Sequence, residues 1–124
     1  MEEKEKAMQA FGRLYDIVSE LRQKCPWDRK QTFESLRTNT IEEVYELGDA
    51  ILDGDMDGIK KESGDVMLHL VFYAVMGREN GSFTMSEVLD TECEKLIRRH
   101  PHVYGETAAR DSEQVKQNWE KIKL

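Results

Sequence analysis

Four acidic residues form two pairs whose members lie three positions apart, Glu43 with Glu46 and Glu62 with Asp65. On a helix, residues at this spacing occupy one side of a single turn. A tight Asp-Gly-Asp turn separates the two predicted helices, so we expect them to pack antiparallel with the pairs facing each other. Converging carboxylates repel unless a cation lies between them, and Mg²⁺ prefers oxygen ligands. The spacing therefore indicates a magnesium site.

Two other interpretations fit part of this pattern. On the first helix, a solvated acidic face explains Glu42, Glu46 and Asp49 without any site, since they fall opposite Ile41 and Val44. On the second helix, a structural ion pair with an arginine is the rival of a metal.

The second helix favours a site because its acids lie on a stripe that continues into apolar sequence. Residues 66–76 are apolar nearly all round, which predicts a helix buried on most sides. Carboxylates placed on such a stripe need a compensating charge. His69 follows Asp65 by one turn, and we expect it to support the site through a hydrogen bond to Asp65.

Composition narrows the class of protein. The chain has 124 residues, 25 acidic and 18 basic, and a formal net charge of −7. Nine of the acidic residues lie between positions 42 and 65 beside only Lys60 and Lys61, so that window alone carries the whole surplus. The length predicts a single domain over residues 1–124. An acidic chain without a long apolar run predicts neither a nucleic-acid binder nor a membrane protein.

Hydrophobic periodicity predicts an all-α fold, an antiparallel bundle of about five helices. The expected helices run over about residues 4–24, 40–52, 57–78 and 84–99, with a last one capped by Asp111. The sequence Thr40-Ile41-Glu42-Glu43 has the form of a capping box. A short helix is expected after Thr32, and a loop is expected from His100 to residue 110.

Basic residues are densest at Lys95, Arg98 and Arg99, followed by His100 and His102. Near an acidic metal site they would neutralise the oxygens of a polyphosphate. The alternative is that cations near a helix C-terminus suit the helix dipole and need no ligand. Glycine-rich phosphate loops are absent from the sequence, so any phosphate must be held through metal and basic side chains.

Two cysteines, Cys25 and Cys93, lie far apart and form no zinc-binding pattern. With a charged N-terminal stretch that has no signal-peptide character, they predict a reducing, cytoplasmic setting. Cys93 lies among helical apolar positions and is expected in the core.

Several segments resemble the MazG nucleoside triphosphate pyrophosphohydrolases. Glu42-Glu43-Val44-Tyr45-Glu46 followed by Glu62-Ser63-Gly64-Asp65 is similar to the EExxE…ExxD signature of that family. Further similar segments are Cys25-Pro26-Trp27-Asp28 with Gln31-Thr32, the stretch from Lys95 to Gly105, and the closing stretch from Asn118 to residue 123. In this order, the segments cover about residues 11–123.

The resemblance implies an all-α fold completed by homodimerisation, as a homodimer or a dimer of dimers. It implies Mg²⁺, with Mn²⁺ as a substitute, bound by Glu43, Glu46, Glu62 and Asp65. The implied reaction hydrolyses a nucleoside triphosphate, NTP or dNTP, to the monophosphate and pyrophosphate.

Roles for further residues follow from the same resemblance. Glu46 or Glu42 would take the proton of the attacking water. Lys95, Arg98 and Arg99 would contact phosphates, and Trp119 the base or sugar. The alternative function is a non-catalytic helical dimer that retains a metal or nucleotide site, because the motifs are similar to the first of two copies that many family members carry.

Overall fold

A computed structural model describes residues 2–105 and 111–122 of the chain. Within these ranges all regular secondary structure is helical, which confirms the all-α prediction. There are seven helices in the described residues, five long ones and two of five residues or fewer. None of the helices in this part is both long and apolar enough to cross a membrane.

The chain divides into two compact units, Met1–Met85 and Ser86–Leu124. The first unit holds α1 (Glu3–Lys24), α2 (Pro26–Lys30), α3 (Phe33–Leu52) and α4 (Met56–Glu79). The second is formed by α5 (Met85–Arg99), α6 (Pro101–Tyr104) and α7 (Ser112–Ile122). The expectation of a single domain over residues 1–124 stays a prediction.

The ends of α1 and α2 follow from backbone chemistry. Cys25 is extended, with φ −89° and ψ 122°, because proline disfavours the helical conformation in the residue before it. Pro26 then opens α2, since its fixed φ suits the first turn of a helix and its missing N–H is not needed there. The predicted stop of the first helix is thus confirmed, and a short helix follows it directly.

The predicted start of the third helix at Thr40 is wrong. The capping box lies at Thr32, whose hydroxyl accepts from the Ser35 backbone N–H at 3.0 Å, while the Thr32 N–H donates to Ser35 Oγ at 2.8 Å. Thr40 lies inside α3, where its hydroxyl donates to the Leu36 carbonyl oxygen at 3.0 Å. A threonine that bonds back one turn fits a helix interior, so the motif at Thr40 did not mark an end.

The turn between α3 and α4 has the predicted chemistry. Gly54 adopts a φ of +67°, which a residue with a side chain rarely does. Asp55 caps α4 by accepting from the Gly58 backbone N–H at 3.0 Å. The result is a helical hairpin, in which α3 and α4 pack against each other.

The core of the first unit lies between α1, α3 and α4. Val18, Val71 and Val75 are fully buried, and Leu36 and Phe72 pack with them. The expectation that residues 66–76 are buried on most sides holds only from Val71 onward. In the preceding turn, Met67, Leu68 and Leu70 remain exposed on the α4 surface.

The second unit corrects two expectations. Residues 101–104 form the short helix α6 where a loop was expected, because Pro101 at its first position is preorganised for a helical turn. Residues 106–110 of the expected loop lie outside the described residues. Cys93 is exposed on α5, not buried in a core.

The predicted cap of the last helix is confirmed. Asp111 Oδ1 accepts from the Gln114 backbone N–H at 3.0 Å, which fixes the start of α7.

Candidate functional site

The hairpin of α3 and α4 brings carboxylates from both helices together. Glu43 on α3 and Glu62 and Asp65 on α4 each offer an oxygen, and these three oxygens lie within 4.8 Å of one another. Glu46, one turn after Glu43, acts on Glu62 through a side-chain hydrogen bond and through its charge. We call Glu43, Glu46, Glu62 and Asp65 the acidic cluster.

The electrostatics of the acidic cluster centre on Glu62. Loss of hydration on burial, together with Glu46, Glu43 and the charge of Asp65, raises the pKa of Glu62 to about 7. Burial also raises the pKa of Glu43, as do the charges of Glu46 and Asp65. Without a cation, Glu62 therefore keeps its proton to a higher pH than an ordinary glutamate does.

Two carboxylate oxygens show that the cluster is incomplete as it stands. Glu43 Oε2 and Glu62 Oε2 are both buried and have no hydrogen-bond partner within residues 2–105 and 111–122. The four ion pairs found in the described ranges involve other acids, so the alternative of a structural ion pair with an arginine has no support there. Buried oxygens without partners normally meet a proton, a water or a cation. An oxygen-ligated divalent ion fits this donor set.

The two glutamates with an implied proton-transfer role differ in position. Glu46 as a whole residue is exposed, yet its carboxylate interacts with Glu62. Glu42 is exposed and is not among the side chains that shift the pKa of Glu43 or Glu62. The arrangement therefore places Glu46, not Glu42, beside the other carboxylates.

His69 takes part in a polar contact that differs from the expected one. Its Nδ1 lies 2.7 Å from Thr40 Oγ1 instead of bonding to Asp65. Thr40 Oγ1 also bonds to the Tyr73 hydroxyl, and Tyr73 stacks on Phe33 with 5.7 Å between ring centroids. Burial lowers the pKa of His69, while the charge of Asp65 opposes that shift. His69 therefore ties α4 to α3 one turn from the acidic cluster.

The basic residues on α5, which we call the basic stretch (Lys95, Arg98 and Arg99), all have partners within the second unit. Lys95 Nζ lies 3.2 Å from Glu92 Oε1, and Arg98 Nη1 donates to the Ile122 carbonyl oxygen at 2.7 Å. The Arg99 guanidinium lies over the Trp119 ring, 5.1 Å from its centroid. These contacts join α5 to α7 and place Trp119 beside the basic stretch.

A cleft of about 120 Å³ in the first unit was not expected from the sequence. Its lining residues come from all four helices: Leu21, Trp27, Asp28, Leu36, Asn39, Leu68, His69 and Phe72. Asn39 precedes Glu43 by one turn and Leu68 follows Asp65 by one turn, so the cleft lies along the hairpin next to the acidic cluster. The sequence indicates the cleft only weakly, through the apolar residues Leu36, Leu68 and Phe72. Apolar residues at this spacing are equally typical of a hydrophobic core.

Arg22 fixes the backbone of Asp28, which lines this cleft, and this role was not expected from the sequence. Its Nη1 donates to the carbonyl oxygens of Asp28, Arg29 and Gln31 at 2.7, 3.1 and 2.9 Å. Its Nε donates to the carboxylate of Glu79, 2.9 Å away at the end of α4. One arginine therefore satisfies the carbonyls at the end of α2 and anchors that helix, which has no buried residue of its own.

Known proteins resemble the chain over most of its length. It is 49% identical over 115 residues to the nucleoside triphosphate pyrophosphohydrolase/pyrophosphatase MazG of Thermotoga maritima, covering 91% of this chain and 44% of that protein. It is 41% identical over 119 residues to the nucleoside triphosphate pyrophosphohydrolase of Escherichia coli K12, covering 94% of this chain and 45% of that protein. The chain thus spans less than half the length of these two relatives.

The fold has a solved counterpart, and the site-bearing helices match a family. The crystal structure of a mazG-related protein from Thermotoga maritima superposes with a TM-score of 0.72 at 27% identity, over 89% of this chain and 96% of that one. Residues 31–104, which include α3, α4 and α5, match the MazG nucleotide pyrophosphohydrolase domain. With its acidic pairs, its helical hairpin and this match, the chain belongs to the MazG nucleotide pyrophosphohydrolase domain family.

Proposed function

We propose that the chain hydrolyses nucleoside triphosphates to the monophosphate and pyrophosphate with Mg²⁺ held by the acidic cluster. The observation that carries the proposal is the convergence of Glu43, Glu62 and Asp65, in which one buried oxygen of Glu43 and one of Glu62 have no hydrogen-bond partner among the described residues. The printed names of the Thermotoga maritima and Escherichia coli relatives, both nucleoside triphosphate pyrophosphohydrolases, support the same reaction.

Glu43, Glu46, Glu62 and Asp65 would hold Mg²⁺, or Mn²⁺ in its place. When bound, the ion supplies positive charge to the phosphate oxygens and to the attacking water. Glu62, whose pKa is raised by burial and by its acidic neighbours, would give up its proton to take part in holding the ion.

The chain's own residues would take up the proton and contact the phosphates. A water forms a bond to the α-phosphorus while the bond to the bridging oxygen of the β-phosphate breaks, giving the monophosphate and pyrophosphate. We assign the water's proton to Glu46, because its carboxylate interacts with that of Glu62. Lys95, Arg98 and Arg99 would offset charge on the phosphates, and Trp119 would contact base or sugar.

A homodimer is part of this proposal. Val44, Ile51, Leu52, Met56 and Leu70 expose apolar surface on the hairpin, and Leu52 and Met56 are 85% and 72% exposed. Apolar side chains grouped in this way on one element favour a protein partner, and a second copy supplies a self-complementary one. Light scattering coupled to gel filtration should give twice the mass of the 14.5 kDa chain, or four times for a dimer of dimers.

The interface can be tested by one substitution on this surface. Val44→Glu should shift the mass toward that of a monomer, since it buries a charge in the contact. Glu34→Gln, an exposed position on the same helix, is the matched control. A monomeric mass for the unchanged chain contradicts the dimer.

The setting we propose is the cytoplasm, where free thiols persist. Cys25 and Cys93 form no disulfide with each other.

Pyrophosphate release tests the activity directly. Purified chain, mixed with the eight common NTPs and dNTPs and Mg²⁺, should release pyrophosphate, and Glu43→Gln should abolish the release. Asp57→Asn, an exposed acid in the first turn of α4, is the control and should retain it. Mg²⁺ or nucleotide binding by calorimetry without any turnover would favour the non-catalytic module.

A further inference from the structure

The contact between Thr40 and His69 continues the row of side-chain pairs that forms the acidic cluster. Within the cluster, Glu43 on α3 shares a hydrogen bond with Asp65 on α4. Thr40 comes three residues before Glu43, and His69 comes four residues after Asp65. About one helical turn on each helix, in opposite directions, therefore leads from this acidic pair to the pair of Thr40 and His69.

Thr40, His69 and Tyr73, which we call the polar tie, are joined through one oxygen atom. Thr40 Oγ1 lies 3.0 Å from the Leu36 carbonyl oxygen and 2.7 Å from His69 Nδ1. It also bonds to the Tyr73 hydroxyl. The carbonyl can only accept, so Thr40 donates its single proton there and accepts from His69 and Tyr73. Two donors on α4 thus share one acceptor on α3.

The two donors of the polar tie are themselves held by ring contacts. The Tyr73 ring stacks on Phe33, with 5.7 Å between the centroids and 7° between the planes. The His69 ring lies edge-on to Tyr73, with 6.5 Å between the centroids. Because both rings are packed, the two bonds to Thr40 fix the separation of α3 and α4 at this level of the hairpin.

On the other side of the acidic cluster, toward the connecting turn, the two helices approach closely at Gly58. A Cβ atom at Gly58 would lie 3.2 Å from the Cβ of Ala50, which is buried. Ala50 comes four residues after Glu46, and Gly58 comes four before Glu62. The acidic cluster therefore lies between two levels, each about one turn away, at which the separation of the helices is fixed.

This separation decides which ion suits the acidic cluster. Repulsion among the carboxylates acts to push α3 and α4 apart, yet oxygens of Glu43, Glu62 and Asp65 lie within 4.8 Å of one another. Mg²⁺ requires near-ideal octahedral geometry with oxygens at about 2.0–2.1 Å, whereas Ca²⁺ accepts flexible geometry at about 2.3–2.6 Å. A small widening of the hairpin therefore costs Mg²⁺ binding more than Ca²⁺ binding.

We propose that Thr40, through His69 and Tyr73, is a positioning residue that holds α3 and α4 at the separation at which the acidic cluster prefers Mg²⁺ to the larger Ca²⁺. The inference rests on the proposed metal-dependent function and adds to it the contact that sets the geometry of the site. Thr40 acts through the distance between the helices and not as a ligand.

Calorimetric titration of the purified chain with Mg²⁺, and separately with Ca²⁺, tests the proposal. Thr40→Val keeps the shape of the side chain but removes its oxygen, so the Kd for Mg²⁺ should rise by roughly tenfold, as for loss of an outer contact of a metal site. The Kd for Ca²⁺ should rise several-fold less, because its coordination is more flexible. Thr40→Ser retains the hydroxyl and should restore both constants. Thr38→Val, exposed on α3, is the matched control and should change neither constant.

Tyr73→Phe provides a second variant in case Thr40→Val does not fold. It removes one donor to Thr40 Oγ1 and retains the ring that stacks on Phe33. The ratio of the two Kd values should shift toward Ca²⁺ by a smaller factor than in Thr40→Val. A lower free energy of unfolding with an unchanged ratio would make the polar tie a structural contact only and overturns the proposal.

Pyrophosphate release separates a failure of this proposal from a failure of the proposed function. A shifted ratio in Thr40→Val, in a chain that releases no pyrophosphate, would refute hydrolysis and retain the positioning role. Pyrophosphate release by the unchanged chain, with the same ratio in Thr40→Val, would do the reverse. An unchanged chain that binds neither ion would overturn both.

Discussion

The acidic cluster and the basic stretch carry opposite charges, and they differ in whether their charged groups have partners. In the cluster, carboxylates from two helices meet, and burial and these neighbours raise the pKa of Glu62 to about 7, while buried oxygens of Glu43 and Glu62 lack partners in the part of the chain that the structure describes. In the basic stretch, Lys95 pairs with Glu92, Arg98 bonds a carbonyl at the end of α7, and Arg99 covers Trp119. The first region holds buried carboxylate oxygens without partners among the described residues, whereas each cation of the second has a partner within its own unit.

This difference shows how charge density alone misleads. A run of like charges on one helix can be neutralised by neighbouring side chains and backbone carbonyls at little cost. Carboxylates that converge from two packed helices cannot separate, because the helices are fixed by the core behind them. The incomplete region is therefore the stronger indication of a ligand.

The largest effect should come from removing one charge from the acidic cluster. Asp65→Asn should lower kcat/KM for pyrophosphate release by about 100-fold or more, since a bound metal contributes several kcal/mol of charge stabilisation. Arg98→Ala, which also loses the bond to the Ile122 carbonyl, should cost about tenfold or less. Equal losses in the two variants would remove the distinction between the two regions.

Arg22 extends the comparison to a cation of the first unit that donates to four residues, Asp28, Arg29, Gln31 and Glu79. Arg22→Leu should lower the free energy of unfolding by about 2 kcal/mol, because it leaves three carbonyls and the Glu79 carboxylate without their donor. Urea unfolding followed by circular dichroism measures this. Arg13→Leu, exposed on the same helix, serves as the control and should change little. Similar stabilities for the two variants would show that the Arg22 contacts contribute nothing net.

The cluster should give the metal-free protein an inverse dependence of stability on pH. The pKa of Glu62 lies near 7 in the folded chain, against an ordinary value of 4.5. Between these values the folded state binds more protons than the unfolded state, so the free energy of unfolding falls as the pH rises from about 4.5 to 7.

Urea titrations in EDTA from pH 5 to pH 7.5 test this sign. Glu62→Gln should flatten the dependence, whereas Glu34→Gln, exposed on α3, should not. Mg²⁺ at pH 7.5 should recover the lost stability beyond what equal ionic strength does. A stability that rises with pH over this range in EDTA would contradict the arrangement of the cluster.

The smallest effect concerns the exposed pair in the basic stretch. If Lys95 contacts phosphate, Glu92→Gln should lower KM by two- to fivefold, since exposed ion pairs contribute only about 0–1 kcal/mol. Glu94→Gln is the control, because it removes the same charge two residues further along α5 and leaves the pair of Lys95 with Glu92 intact. An identical KM in the two variants would indicate that Lys95 does not bind substrate.

The local sequence was sufficient for most helix ends but not for all of them. Pro26, Gly54 and Asp111 marked boundaries correctly because their effects act within a few residues. Thr40 failed as a cap because Thr32 and Ser35 already supply one and the chain runs on as helix. His69 failed as a partner of Asp65 because Thr40, on the facing helix, takes its Nδ1.

The sequence by itself determined the all-α class, the hairpin of α3 and α4, and the family, since spacing, turn chemistry and motifs are local properties. Only the tertiary structure decided that Glu43 and Glu62 hold oxygens without partners among the described residues, that each cation of the basic stretch has a partner in its own unit, and that Trp27 and His69 line one cleft. Those three facts depend on contacts between residues distant along the chain. Such contacts arise only when the packed core of the first unit, and within the second unit the pairing of α5 with α7, fix which side chains meet.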